Sequence, residues 1–186
     1  MNKGRYVMIN EITSSKCMDM LKEYGTPKHV INHCKGVSKV ATRISERLNT
    51  KGYKLNTNLC TCSGLLHDMA RVEDHHGEVA ATYLETLGYQ DMADIIKVHM
   101  KHSDFNPIET ISELDIVCIS DRVVLEGTYV GLKKRLEYIK KKANHTPETL
   151  KRLKVVEDRL YEYIYELEGV MDISLDELLE GIDEKD

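Results

Sequence analysis

Leu65-Leu66-His67-Asp68-Met69-Ala70-Arg71 is the stretch from which the rest of the chain can be read. Two leucines run directly into an adjacent histidine and aspartate, and a cation follows three residues after the aspartate. An imidazole beside a carboxylate offers a neutral nitrogen and an anionic oxygen, a mixture that borderline and hard divalent metals accept. The dipeptide alone is common on solvated surfaces, so its meaning depends on what the flanking segments bring to it.

Outward from this stretch the apolar spacing is helical. Asn56 to about Ala70 reads as one helix through Leu59, Cys62, Leu65 and Leu66, with His67 and Asp68 at its C-terminal end. Before it, Val30, Val37, Val40, Ala41, Ile44 and Leu48 form a 3.6-residue stripe on a helix capped by Thr26, opened by Pro27 and closed by Gly52. Ser14 to Tyr24 makes a lead-in helix ended by Gly25. Residues 1–12 carry no clear signal. After a polar connection over 71–75, helices are expected at about 76–88 and 90–101, the first holding the small pair Ala80-Ala81. Asn106-Pro107 breaks the chain, and Ile111, Leu114, Val117 and Cys118 resume the pattern. Gly127 and Gly131 bracket a loop or a helix break, a basic helix runs from Lys133 to Lys142, and a long amphipathic helix started by Thr146-Pro147 runs to Leu167. Tyr161, Tyr163 and Tyr165 on that helix are assigned packing roles. Ser174 and Glu177 form a capping box for a last short helix, and the acidic end 183–186 is expected to fray. Without alternating strand patterns the chain reads as all-α. It forms a single domain, 1–186, with a lead-in helix (1–25), a core (26–125) and additional C-terminal helices (126–186).

Composition narrows the function classes. The 186 residues are 41% hydrophobic and 31% charged, enough for a real core and too apolar for disorder. A net charge of −5 supplies no global basic field for nucleic acid. No apolar run approaches the ~20 residues of a membrane span. Five cysteines without an export signal read as reduced thiols in a cytoplasmic protein, with Cys60 and Cys62 as packing residues.

Against this background five polar residues fall on helix faces meant for the core: His33, His67, Asp68, His99 and Asp121. His76 opens a sixth position. A single histidine on an apolar face is more often a satisfied core residue than a ligand. Several such accidents are less economical than one shared site, and bundles build metal centres from side chains of different helices. Asp121 in particular needs a cation, a metal or a full set of hydrogen bonds. Its neighbour Arg122 projects ~100° around a helix and is a poor intrahelical partner. Three histidines and two aspartates exceed what one tetrahedral zinc needs. One or two five- or six-coordinate divalent ions, drawn from Mn, Fe, Co, Ni, Zn or Mg, fit better.

The ordered set His33, His67-Asp68 and Asp121 resembles the HD superfamily of metal-dependent phosphohydrolases. His76 with its alanine pair, His99, and Ile119-Ser120-Asp121-Arg122-Val123-Val124 resemble the dinuclear members, and the similarity runs from about Thr26 to Arg135. The resemblance implies an HD-domain helical bundle. His33, His67, Asp68 and Asp121 would hold one metal, and Asp68 would bridge to a second held by His76 and His99. It implies hydrolysis of a phosphomonoester or phosphoanhydride, expected to be that of a nucleotide, by a metal-activated water. The histidine order is also similar to the symmetrical diadenosine-tetraphosphate hydrolases, although the link from Asp68 to His76 is shorter here. A metal- or nucleotide-binding HD domain with little turnover is the alternative from another class. Arg71 stands where many relatives carry lysine, and Arg122 likewise; an arginine clamps phosphate but does not release a proton. Asp68, Arg71 and His102 are therefore read as catalytic, with His75 as a second imidazole able to protonate a leaving group. Arg71, Arg122 and Arg135 are read as substrate-binding. If the basic run 133–142 reaches the site mouth, charge reversal at Lys133 and Arg135 raises KM. The expected partner is a small phosphorylated molecule rather than nucleic acid or a membrane; a homodimer stays open.

Overall fold

The apolar stripes become helices in a computed structural model that describes residues 12–182. The helices are α1 Ser14–Tyr24, α2 Lys28–Thr50, α3 Thr57–Leu66, α4 His76–Thr86, α5 Gln90–Val98 and α6 Glu113–Asp121. The hairpin β1 Val124–Leu125 and β2 Thr128–Tyr129 follows, then α7 Gly131–Lys142, α8 Pro147–Met171 and α9 Leu175–Leu178. Among the described residues the architecture is all-α apart from that hairpin, which sequence periodicity missed because two-residue strands are too short to alternate. Glu126 and Gly127 join the strands with φ of 53° and 95°, the double left-handed loop that matches strand twist.

Helix ends differ from the sequence reading in instructive ways. The carbonyl of Pro27, not Thr26, accepts the first bonds of α2. The Thr26 hydroxyl instead donates to the Met69 carbonyl at 2.7 Å, tying the start of α2 to the segment after Asp68. The third helix stops at Leu66 and the fifth at Val98, each three or four residues early. Beyond Leu66 the chain turns through successive three-residue bonds, Met69 N to Leu66 O, Arg71 N to Asp68 O and Glu73 N to Ala70 O. A capping box of Ser112 and Asp115 opens α6, and the one that the sequence predicts at Ser174 and Glu177 opens α9. Of the three tyrosines on α8, only Tyr163 packs; Tyr161 and Tyr165 are exposed. The readings for residues 1–11 and 183–186 lie outside the described residues.

Two apolar clusters flank α3 and α6. One gathers Ile44 and Leu48 of α2 with Ile116, Ile119, Leu160 and Leu167. The other gathers Leu21, Leu66, Met69, Leu84, Met92 and Ile96. Each of these side chains contributes roughly 1.5–3 kcal/mol by leaving water. The sixth helix sends Ile119 to the first cluster and Val117 to the second, so its end, Asp121, emerges at the seam. The hairpin sits hard against α2, where a Cβ added at Gly36 would fall on the Gly127 carbonyl, 2.7 Å from its carbon. All five cysteines are buried and free.

Candidate metal centre

Three helices end at one place. The caps after α3 and α5 are His67 and His99, and Asp121 is the last residue of α6. Helix C-termini carry unsatisfied carbonyls and partial negative charge, so their convergence favours a cation. His76 enters from the first residue of α4, and His33 from the second turn of α2. Asp68 lies in the turn just after α3 and is only 7% exposed.

Ligand-type atoms gather into two groups that share Asp68. His33, His67 and Asp68 form one, Asp68, His76 and His99 the other, and in each all the atoms lie within 4.8 Å of one another. Asp121 Oδ1 adjoins the first group, 3.0 Å from His33 Nε2 and 4.0 Å from His67 Nε2. Asp68 Oδ1 lies 3.0 Å from His76 Nε2 and 3.6 Å from His99 Nε2.

The backbone decides which ring nitrogens face inward. His67 Nδ1 lies 2.8 Å from the Gly64 carbonyl and His99 Nδ1 lies 2.6 Å from the Ile96 carbonyl. A carbonyl can only accept, so both Nδ1 atoms carry the proton and both Nε2 atoms present lone pairs. These two Nε2 atoms and Asp68 Oδ1 are buried without a hydrogen-bond partner among the described residues; the short approaches to Asp68 lack hydrogen-bonding geometry. Buried polar atoms are rarely left so. An unpartnered imidazole nitrogen in each group, on either side of the shared Asp68 carboxylate, suits divalent cations. The charge state agrees with that role. Burial, opposed by Asp68 and Asp121, pushes the His67 pKa down to about 4, which leaves a neutral ligand at pH 7. Burial pushes Asp68 up, but His67, His76, His99 and the Arg71 cation outweigh it and hold the carboxylate ionised. Asp121 is likewise held well below the usual range: burial raises it, and His33, Arg122 and His67 overcome that.

Arg122 corrects the sequence reading, since its Nη1 donates to Asp121 Oδ2 at 2.9 Å. The 100° projection fails because α6 ends at Asp121 and the long side chain of its cap folds back. Arg135 from α7 adds Nη2 to Asp121 Oδ1 at 3.4 Å and Nε to its carbonyl at 3.2 Å.

Above the groups opens a cavity of about 700 Å³ that His33, Asp68, Arg71 and Arg135 help to line. Arg71 Nε lies 3.5 Å from Asp68 Oδ2, and its guanidinium flanks the His76 ring. The basic helix does reach the mouth, through Arg135, Tyr138 and Lys142 at helical spacing, while the exposed Lys133 is not among the lining residues. Arg135 and Lys142 both lie over the Tyr138 ring, 5.7 and 4.5 Å from its centroid. His29, one turn before His33, also lines this cavity and was not singled out from sequence. The i, i+4 spacing to His33 was the available signal. Three expected residues are not brought here. His102 and Arg122 line a neighbouring cavity, and His102 Nε2 is committed to the buried Asp115 at 2.6 Å. His75 is exposed, in left-handed conformation before α4.

Residues 30–125 match the family model of the HD domain. An uncharacterized protein of Methanocaldococcus jannaschii is 25% identical over 163 residues, which cover 78% of this chain and 95% of that protein. A tRNA (cytidine(56)-2′-O)-methyltransferase of Thermoplasma volcanium is 33% identical over 88 residues, 45% of this chain and 25% of that enzyme. No solved structure matches significantly.

Proposed function

This chain belongs to the HD-domain family, within a superfamily of metal-dependent phosphohydrolases, and on that premise we propose that it hydrolyses a phosphomonoester or phosphoanhydride of a nucleotide. The observation that carries the reading is the pair of ligand groups sharing Asp68, with unpartnered lone pairs on His67 and His99, beneath a cavity edged by cations.

In this reading His33, His67, Asp68 and Asp121 hold one divalent ion, and Asp68, His76 and His99 hold a second. When bound, such ions supply an activated water for attack on phosphorus and offset charge on the phosphoryl oxygens. The Gly64 and Ile96 carbonyls hold the His67 and His99 rings in the ligating tautomer, so the donors need no rearrangement. Arg71 orients the phosphoryl group as a fixed cation, its Nε remaining near Asp68. Arg135 keeps Asp121 aligned, and Lys142 beside Tyr138 receives the outer phosphate or the sugar end of the substrate. His29, at the cavity wall, takes over from His102 and His75 as the imidazole able to protonate the leaving oxygen.

The test is a panel of nucleotides and simple phosphate esters, assayed with Mn²⁺, Fe²⁺, Co²⁺, Ni²⁺ and Mg²⁺. The reading expects turnover with at least one metal, abolished in Asp68→Ala. Stoichiometric metal and nucleotide binding without turnover under any metal refutes the enzymatic reading.

A further inference from the structure

The neighbouring cavity, about 570 Å³, has the size of a small-molecule site. It shares no lining residue with the cavity over the metal groups. Its charged lining is entirely cationic: Lys101, Arg122, Lys151 and Arg152, with no aspartate or glutamate. In a chain of net charge −5 that segregation of sign is notable. Lys101 is paired with Glu78 at 2.6 Å and Arg122 with Asp121, whereas Lys151 and Arg152 have no ion-pair partner among the described residues. The remaining wall is largely apolar, built from Phe105, Val155, Val156 and Leu160. Phe105, the single phenylalanine of the chain, is braced by stacking on Tyr163 at 4.8 Å and by the edge of His102 at 5.2 Å. Asp115 in turn fixes His102. Met100 and Val155 leave about half of their surface uncovered.

Unpaired cations beside a rigid aromatic and aliphatic wall fit a ligand that is anionic at one end and flat and apolar at the other. We propose that this cavity is a second binding site, separate from the metal centre, for a nucleotide. Its base lies against Phe105, Val156 and Leu160, and its phosphates meet Lys151, Arg152 and Arg122. An inorganic anion would leave the apolar wall wet, and a neutral aromatic would leave the cations unused. Arg122 also donates to Asp121 at 2.9 Å, so the site lies one side chain from the metal groups.

The site does not depend on the metal, so binding is measured by isothermal titration of the full chain in excess EDTA. ADP is the probe, with adenosine and inorganic phosphate as separate arms. ADP is expected to bind at one equivalent, at least tenfold more tightly than either fragment. The double variant Lys151→Glu/Arg152→Glu, at two exposed positions, is expected to lose at least tenfold in affinity with an unchanged circular dichroism spectrum. Arg71→Gln/Lys142→Gln, in the other cavity, is expected to stay within twofold of wild type. The proposal is overturned if ADP fails to bind at millimolar concentration or if phosphate binds as well as ADP. It is equally overturned if the Arg71/Lys142 variant, rather than the Lys151/Arg152 variant, loses binding. A chain without metal or turnover that still binds ADP in this pattern would sink the hydrolase reading and leave this one standing.

Discussion

Gly36→Ala sets two effects of opposite sign against each other. In a helix interior alanine is preferred to glycine by ~1 kcal/mol, so from local propensity alone the variant gains stability. The structure reverses that expectation, because the new Cβ would stand 2.7 Å from the Gly127 carbonyl carbon and 2.9 Å from its Cα. Ordinary contact begins at 3.4 Å, so the hairpin must retreat by at least 0.7 Å to clear the carbonyl carbon, and its oxygen is nearer still. It has little room, since Gly127 is itself seated on the Asn32 carbonyl and the strand register holds it from both sides. Overpacking against backbone of this kind costs ~3 kcal/mol. The net loss is about 2 kcal/mol, a fall in Tm of roughly 4–8 °C for a chain of this size. Gly169→Ala is the control, in α8 with open space around it. There only the propensity acts, and Tm should rise by about 2–4 °C. Thermal melts of both variants decide the matter. If Gly36→Ala melts at or above wild type, the close seating of the hairpin on α2 is wrong. With it would go the placement of Leu125 and Glu126 of the hairpin, which line the cavity over the ligand groups.

Other consequences can be checked alongside. Arg135→Met and Lys142→Met should raise KM for a nucleotide substrate several-fold, whereas Lys133→Glu should leave it unchanged; an effect at Lys133 alone would displace the substrate from this mouth. In EDTA the neutral, buried His67 makes the fold acid-sensitive. Its folded pKa of about 4 lies below the ordinary histidine value of 6.5, so the unfolded chain takes up the proton first and stability falls as pH drops between those values. At ~1.4 kcal/mol per pKa unit, the stability of wild type relative to His67→Gln should drop by about 2–3 kcal/mol between pH 7 and pH 4.5 in urea titrations. A pH-independent difference would contradict the burial argument. Asp115 accepts from Ser112, Asn106 and His102, and its carboxyl is held low: burial raises it, and those hydrogen bonds outweigh burial. Its contribution is present above the ordinary carboxylate range and lost as pH falls through the lower folded value. Asp115→Ala should cost ~3 kcal/mol at pH 7 by denaturant unfolding, since a cap is lost and buried donors are left unpaired.

Much of this was legible in the residues. The stripe from Val30 to Leu48, the Gly25 stop and the Thr146-Pro147 start each combine apolar spacing with a local end signal, and α1, α2 and α8 follow them. The ends of α3 and α5 were less legible. Their stops are set by histidine rings bonding back to carbonyls, an interaction that no residue pattern announces. The placement of Asp121 beside His33 followed from their positions on core faces, but its pairing with Arg122 depended on the helix ending there. Long side chains were hardest to assign. Arg135 and Lys142 come to the cavity because α7 returns after a hairpin too short to see, and His102 faces away from it because Asp115 claims its ring.

The metal centre stands or falls on the divalent metal content of the purified chain, by elemental analysis after saturation and desalting. Because Asp68 alone belongs to both ligand groups, wild type should bind two ions per chain and Asp68→Ala none. His76→Ala, which belongs to only one group, should retain a single ion. Wild type without bound metal, or Asp68→Ala with an undiminished content, would contradict a metal centre built on that shared carboxylate.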